Sequence, residues 1–176
     1  MDPLSQQCLN FMKFVDDCTI YCIASRGLQY LPLQIAEGCT TYFSNDYGEA
    51  VLQYHGAHEE MYRIRIRKKT SNVILTHEGL QEYMLKGIEK CFQGQVIMEG
   101  ILMFCSLYID TAIFCFRYER SDLINDSLIT TVSLVFEEYV KTLFEEMTPS
   151  LINLQWYEII QMGINLVERE KAAGKI

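Results

Sequence analysis

Proline is scarce, positive charge is in deficit, and the common catalytic signatures are missing. Three prolines in 176 residues leave no material for a proline-rich linker. The formal net charge of -8 argues against a nucleic-acid partner, because such binding needs a basic face. No GxSxG, P-loop, Gly-rich dinucleotide turn or HExxH occurs, so nothing announces an acyl-transfer, nucleotide-dependent or zinc-protease centre. The expectation is a protein that is not an enzyme and carries no cofactor. Histidine is sparse as well. His55 and His58, with Glu59 beside them, have a spacing that can ligate zinc, but two histidines without further ligands make an incomplete set.

Two targeting features are also lacking. Met1-Asp2-Pro3 does not open a charged segment followed by an apolar run, so no secretory signal is expected. The longest apolar run, Ile101 to Phe116, is about a turn short of a bilayer span and contains Asp110. The final stretch, Glu168 to Ile176, is polar, so membrane attachment is expected only if a hydrophobic tail was removed.

What is abundant is cysteine and helical periodicity. Seven cysteines, an odd number with no CxxC pair, lie mostly in apolar periodic stretches. Buried free thiols in a reducing, intracellular and cytoplasmic setting explain them best. At 176 residues the chain suits one domain with a substantial core.

Apolar residues recur at helical spacing from Leu4 to Ala24, and Arg26-Gly27 reads as a stop. Residues 28–45 read as a loop. A second helix is expected over Asp46 to Ile66, with Val51, Tyr54 or His55, His58, Tyr62 and Ile66 in one stripe. Its basic end, Arg63 to Lys69, is expected to stay helical and solvated, with cations favoured at the negative end of the helix dipole. A third helix begins at Thr76 and stops before Gly94. Val96 to Tyr118 is apolar nearly all round, as in a helix covered on every side.

Ser121-Asp122 signals the start of the next helix, which is expected to run through Phe144. Thr148-Pro149 signals another start, opening a final pair of short helices over about 150–162 and 164–171, divided near Gly163. The predicted class is all-α: seven or eight helices around a central hydrophobic helical hairpin.

That order of elements resembles the Bcl-2 family. Phe92-Gln93-Gly94-Gln95-Val96 looks like the lead-in to the family's Asn-Trp-Gly-Arg signature, and Ile97-Met98-Glu99-Gly100 stands in its place, followed by Ile101 to Leu107. Pro149 through Leu154-Gln155-Trp156-Tyr157-Glu158 looks like the second signature, and it contains the only tryptophan. The resemblance covers roughly Asp46 to Gly163. It departs where the signature arginine should stand, since Gly100 takes that position and Glu99 beside it has the opposite sign.

The resemblance implies a Bcl-2-like bundle that inhibits apoptosis. In such a bundle BH3 helices of pro-apoptotic proteins are sequestered in a hydrophobic surface groove. Tyr62, Ile66, Met84, Ile88, Cys91, Met98, Ile101 and Phe104 would line the groove, with His58 on the same stripe and Glu99 and Gly100 at the altered signature. Arg65 or Lys90 would replace the missing cation. The short chain, the altered signature and the cysteines look like a divergent viral member, acting against host cell death and reaching the mitochondrial surface of the host cell.

Two alternatives stand beside it. One is a pro-apoptotic, pore-forming member; Leu52 to Gly56 matches the spacing of the family's Leu-x-x-x-Gly-Asp, but Ala57 replaces the acid. The other is a helical adaptor that forms a homodimer through the same groove.

Overall fold

The computed structural model describes residues 2–30, 38–67 and 74–176. Among these the protein is helical throughout, with six α-helices: α1 (Pro3–Ala24), α2 (Asn45–Arg67), α3 (His77–Phe92), α4 (Ile97–Arg117), α5 (Ile129–Glu138) and α6 (Pro149–Ala172). A π-helical turn, Ile124–Leu128, leads into α5, and a 3-10 turn, Val140–Leu143, follows it.

The helix ends follow local chemistry. The Asp2 carboxylate accepts from the backbone N–H groups of Leu4 and Ser5 at 2.9 and 3.1 Å, capping α1. Thr76 caps α3 by accepting from the Gly79 N–H at 3.0 Å. Gly27 and Gly94 adopt φ of 72° and 67°, the left-handed backbone that lets the chain leave α1 and α3 without a Cβ clash.

The apolar helix α4 sits at the centre. Helices α1, α2, α3 and α6 all pack on it, and fifteen of its residues, Glu99 and Ser106 among them, are buried. Phe11 of α1 meets Phe104 of α4 at 6.4 Å between ring centroids and Phe136 of α5 at 6.2 Å, so the core is continuous across three helices. Trp156 closes it from α6, stacked on Tyr42 at 4.7 Å and donating its indole N–H to Gln7 Oε1 at 2.8 Å.

The all-α class stands; among the described residues the α-helices number six where seven or eight were expected. The centre is one helix rather than a hairpin. Helix α5 is held by α1 and α3, and α4 is met instead by the π-helical turn before α5 and the 3-10 turn after it. The expected pair of C-terminal helices is one continuous helix, because Gly163 serves packing. A Cβ there would lie 2.6 Å from the Tyr47 ring and 3.0 Å from Leu102, so glycine lets α6 approach α2 and α4. The expected helix from Asp122 to Phe144 loses α-geometry at both ends. The end of α2 is helical to Arg67; Lys68 and Lys69, like residues 31–37 of the expected loop, lie outside the described residues.

Candidate functional site

Helices α2 and α3 both pack on α4, yet they are not among the helix pairs that pack on each other. We term the strip of α4 between these two helices the seam, with α4 as its floor.

On the α2 side, Tyr62 is buried, and its hydroxyl lies 2.8 Å from Ser106 Oγ on the floor. Half-buried Arg65 places its guanidinium 5.9 Å from the Tyr62 ring centroid, within the range of a cation–π contact. Its positive charge also reaches across the seam to α3. Burial pushes the Cys91 thiol up to about 12, and Arg65 pulls in the opposite direction. The same opposition, burial raising and Arg65 lowering, acts on Tyr83.

Tyr83 is 6% exposed, and its hydroxyl has no hydrogen-bond partner among the described residues. A buried hydroxyl without a partner is costly, at about 1–3 kcal/mol. It is therefore a place where an incoming donor or acceptor gains.

The residues singled out in the sequence divide into two groups. Met84, Ile88, Ile101 and Phe104 are shut in the core, where they support the floor without forming its surface. Cys91 is buried nearly as deeply. His58, Arg65, Ile66 and Met98 keep partial exposure. The His58 ring stacks on Tyr54 at 4.0 Å, and its Nδ1 lies 2.9 Å from the Tyr54 carbonyl oxygen, to which it donates. Ile66 lines a different cleft, together with Arg26 and Arg117. The buried carboxylate of Glu99 pairs with Arg169 of α6, so its charge is neutralised within the fold.

Gly100 does not open on a groove. A Cβ there would meet the Phe92 ring at 2.5 Å and the Cys91 carbonyl oxygen at 3.0 Å, so glycine lets α3 and α4 come together. Lys90 is exposed on α3, whereas Arg65 acts on Tyr62, Tyr83 and Cys91.

Three participants were not picked out from sequence. Tyr83 lies one position before Met84 and is hidden in an apolar stripe. Ser106 and Asp110 lie inside the apolar run, where Asp110 was read only as an obstacle to membrane insertion. Asp110 in fact accepts from His55 Nε2 at 2.8 Å. A polar group in the middle of a helix buried on all sides is the signal that could have found both, since such groups persist only with partners.

No family model matches the chain, and the searches of curated proteins and of solved structures find no match.

Proposed function

We propose that this protein sequesters an amphipathic helix, a BH3 segment of a pro-apoptotic protein, along the seam between α2 and α3, and so restrains cell death. The observation behind this reading is the pair α2 and α3, both seated on α4 and not on each other, with Arg65 at the lip. An amphipathic helix laid there parts α2 from α3 to reach the buried Tyr62, Tyr83 and Cys91, and brings the Tyr83 hydroxyl a partner. Arg65 supplies the cation that Gly100 cannot. A charge-assisted hydrogen bond to an acidic residue of the bound helix contributes about 1.5–3 kcal/mol.

Calorimetric titration with a panel of BH3 peptides tests the proposal. At least one peptide should bind with a sub-micromolar Kd. Arg65→Glu should weaken that binding by roughly tenfold to 150-fold while leaving the thermal midpoint close to that of the parent. Silence across the whole panel sinks the reading. Binding that survives charge reversal at both Arg65 and Lys90 removes the substitute cation.

One observation favours a second reading. Among the described residues, α4 alone is long and apolar enough to cross a membrane, as a pore-forming relative would require. That apolar stretch is 78% buried, so insertion demands opening the core, and Asp110 would enter the bilayer. Dye release from anionic vesicles would favour that alternative; intact vesicles favour sequestration.

A further inference from the structure

Four of the chain's seven arginines meet in one cleft of about 460 Å³: Arg26 just after α1, Arg63 and Arg67 on α2, and Arg117 at the end of α4. No lysine lines it. In a chain of net charge -8, such a gathering of guanidinium groups runs against the overall balance. The acids that share the cleft are Glu59 and Asp110, and both are engaged. Glu59 lies 3.6 Å from Arg26, and Asp110 is held by His55 at 2.8 Å.

His55, only 2% exposed, forms the cleft's back wall. Arg26 approaches its Nδ1 at 3.1 Å. Since a guanidinium can only donate, that nitrogen must accept, which assigns the proton to Nε2 and leaves the ring neutral. The string Arg26–His55–Asp110 therefore fixes the inner cation in place. The side chains of Arg67 and Arg117, by contrast, are exposed and have no hydrogen bond or ion pair among the described residues. Between the arginines the wall is apolar, formed by Ile113 and Phe114 with the half-exposed ring of Tyr118 nearby.

We infer that this cleft binds a phosphate-bearing ligand with an apolar or aromatic body, its phosphate held by Arg67 and Arg117 and its body against Ile113 and Phe114. Guanidinium forks match phosphate oxygens in bidentate geometry, which lysine cannot reproduce. The volume lies within the range of small-molecule sites, and an apolar wall with a few convergent polar groups is their usual composition.

Arg67 and Arg117 also sit near the C-terminal ends of α2 and α4, whose dipoles disfavour an anion. That effect is roughly a twofold to fivefold loss for each helix and fades within a turn. A charge-assisted hydrogen bond gains roughly tenfold or more for each guanidinium, so the arginines prevail. The inference is independent of the seam between α2 and α3.

The ligand chemistry has two sources, a soluble phosphoester and a lipid headgroup, and the test separates them. The full chain is titrated with phenyl phosphate, with inorganic phosphate, and with phosphatidylcholine vesicles containing or lacking phosphatidate. Saturable binding of phenyl phosphate, tighter than inorganic phosphate, identifies the soluble class. Binding confined to phosphatidate vesicles identifies the headgroup.

In either case Arg67→Gln with Arg117→Gln should weaken binding by roughly a hundredfold. Lys141→Gln with Lys175→Gln, an equal loss of charge elsewhere, should weaken it only slightly. No saturable binding of any probe overturns the inference. So does an equal loss in both double variants, which would reduce the effect to net charge.

Discussion

Cys91 shows how one thiol's surroundings govern its reactivity and couple the fold to pH. Cys8 and Cys39 are half-buried and the other five cysteines are buried. A thiol-reactive reagent at neutral pH should therefore modify Cys8 and Cys39 well before the rest, with all seven reacting after denaturation. Rapid selective labelling of a buried cysteine, followed by mass spectrometry, would instead point to an activated nucleophile.

The alkaline limb of stability follows from the same burial. Cys91 and Cys115 are each pushed to about 12 from an ordinary value of 9.0, and burial raises the Tyr62 and Tyr83 hydroxyls as well. Between 9.0 and about 12 the folded thiols keep protons that the unfolded chain releases. Their contribution is thus complete below pH 9.0 and disappears as the pH rises toward 12. Urea midpoints measured across that interval should fall steadily; a flat profile would place these thiols in solvent.

At the scale of helices, glycine separates two roles that look identical in sequence. Gly56 lies in the middle of α2 with nothing within 4 Å of a Cβ added there, whereas at Gly163 the Tyr47 ring would be 2.6 Å away. Gly56→Ala should stabilise the protein by about 0.5–1 kcal/mol through helix propensity alone. Gly163→Ala gains the same propensity but must displace Tyr47 and Leu102 in a packed core, at a cost of about 1–3 kcal/mol. The net change should be destabilising. Denaturant titrations of the two variants should move in opposite directions.

This contrast also shows what was legible in the sequence. The periodic stripes, the start at Thr76 and the stops at Gly27 and Gly94 are local signals, and the helices they delimit are present. Gly163 was read as a divider because its reason for being glycine lies on α2 and α4, far away in sequence. The seam was legible in its helices but less so in its residues. A 3.6-residue stripe marks every side chain facing inward, and it does not distinguish Ile101 or Phe104 in the core from Arg65 at the lip. Tyr83, Ser106 and Asp110 escaped notice because their polarity gains meaning only once their neighbours are known.

At the scale of the whole molecule, the aromatic cluster around Trp156 joins segments distant in sequence. Phe14 of α1, Tyr42 of the loop before α2 and Phe144 all pack on it, at 5.4, 4.7 and 5.3 Å between centroids. Trp156→Ala should destabilise the protein by about 3–5 kcal/mol, as for other large aromatic truncations in a core. Thermal unfolding followed by circular dichroism measures it; a loss below 1 kcal/mol would mean that α6 is not essential to the core.

The bond from Trp156 to Gln7 spans 149 positions, and this has a bearing on how the protein is made. A chain emerging from the ribosome presents α1 and the apolar α4 long before α6 can cover them. Throughout that interval Phe14 and the α6-facing side of α4 stay open to water, to chaperones and to proteases. Final closure must then follow release of Trp156 from the exit tunnel, so α1 is made well before its cover arrives.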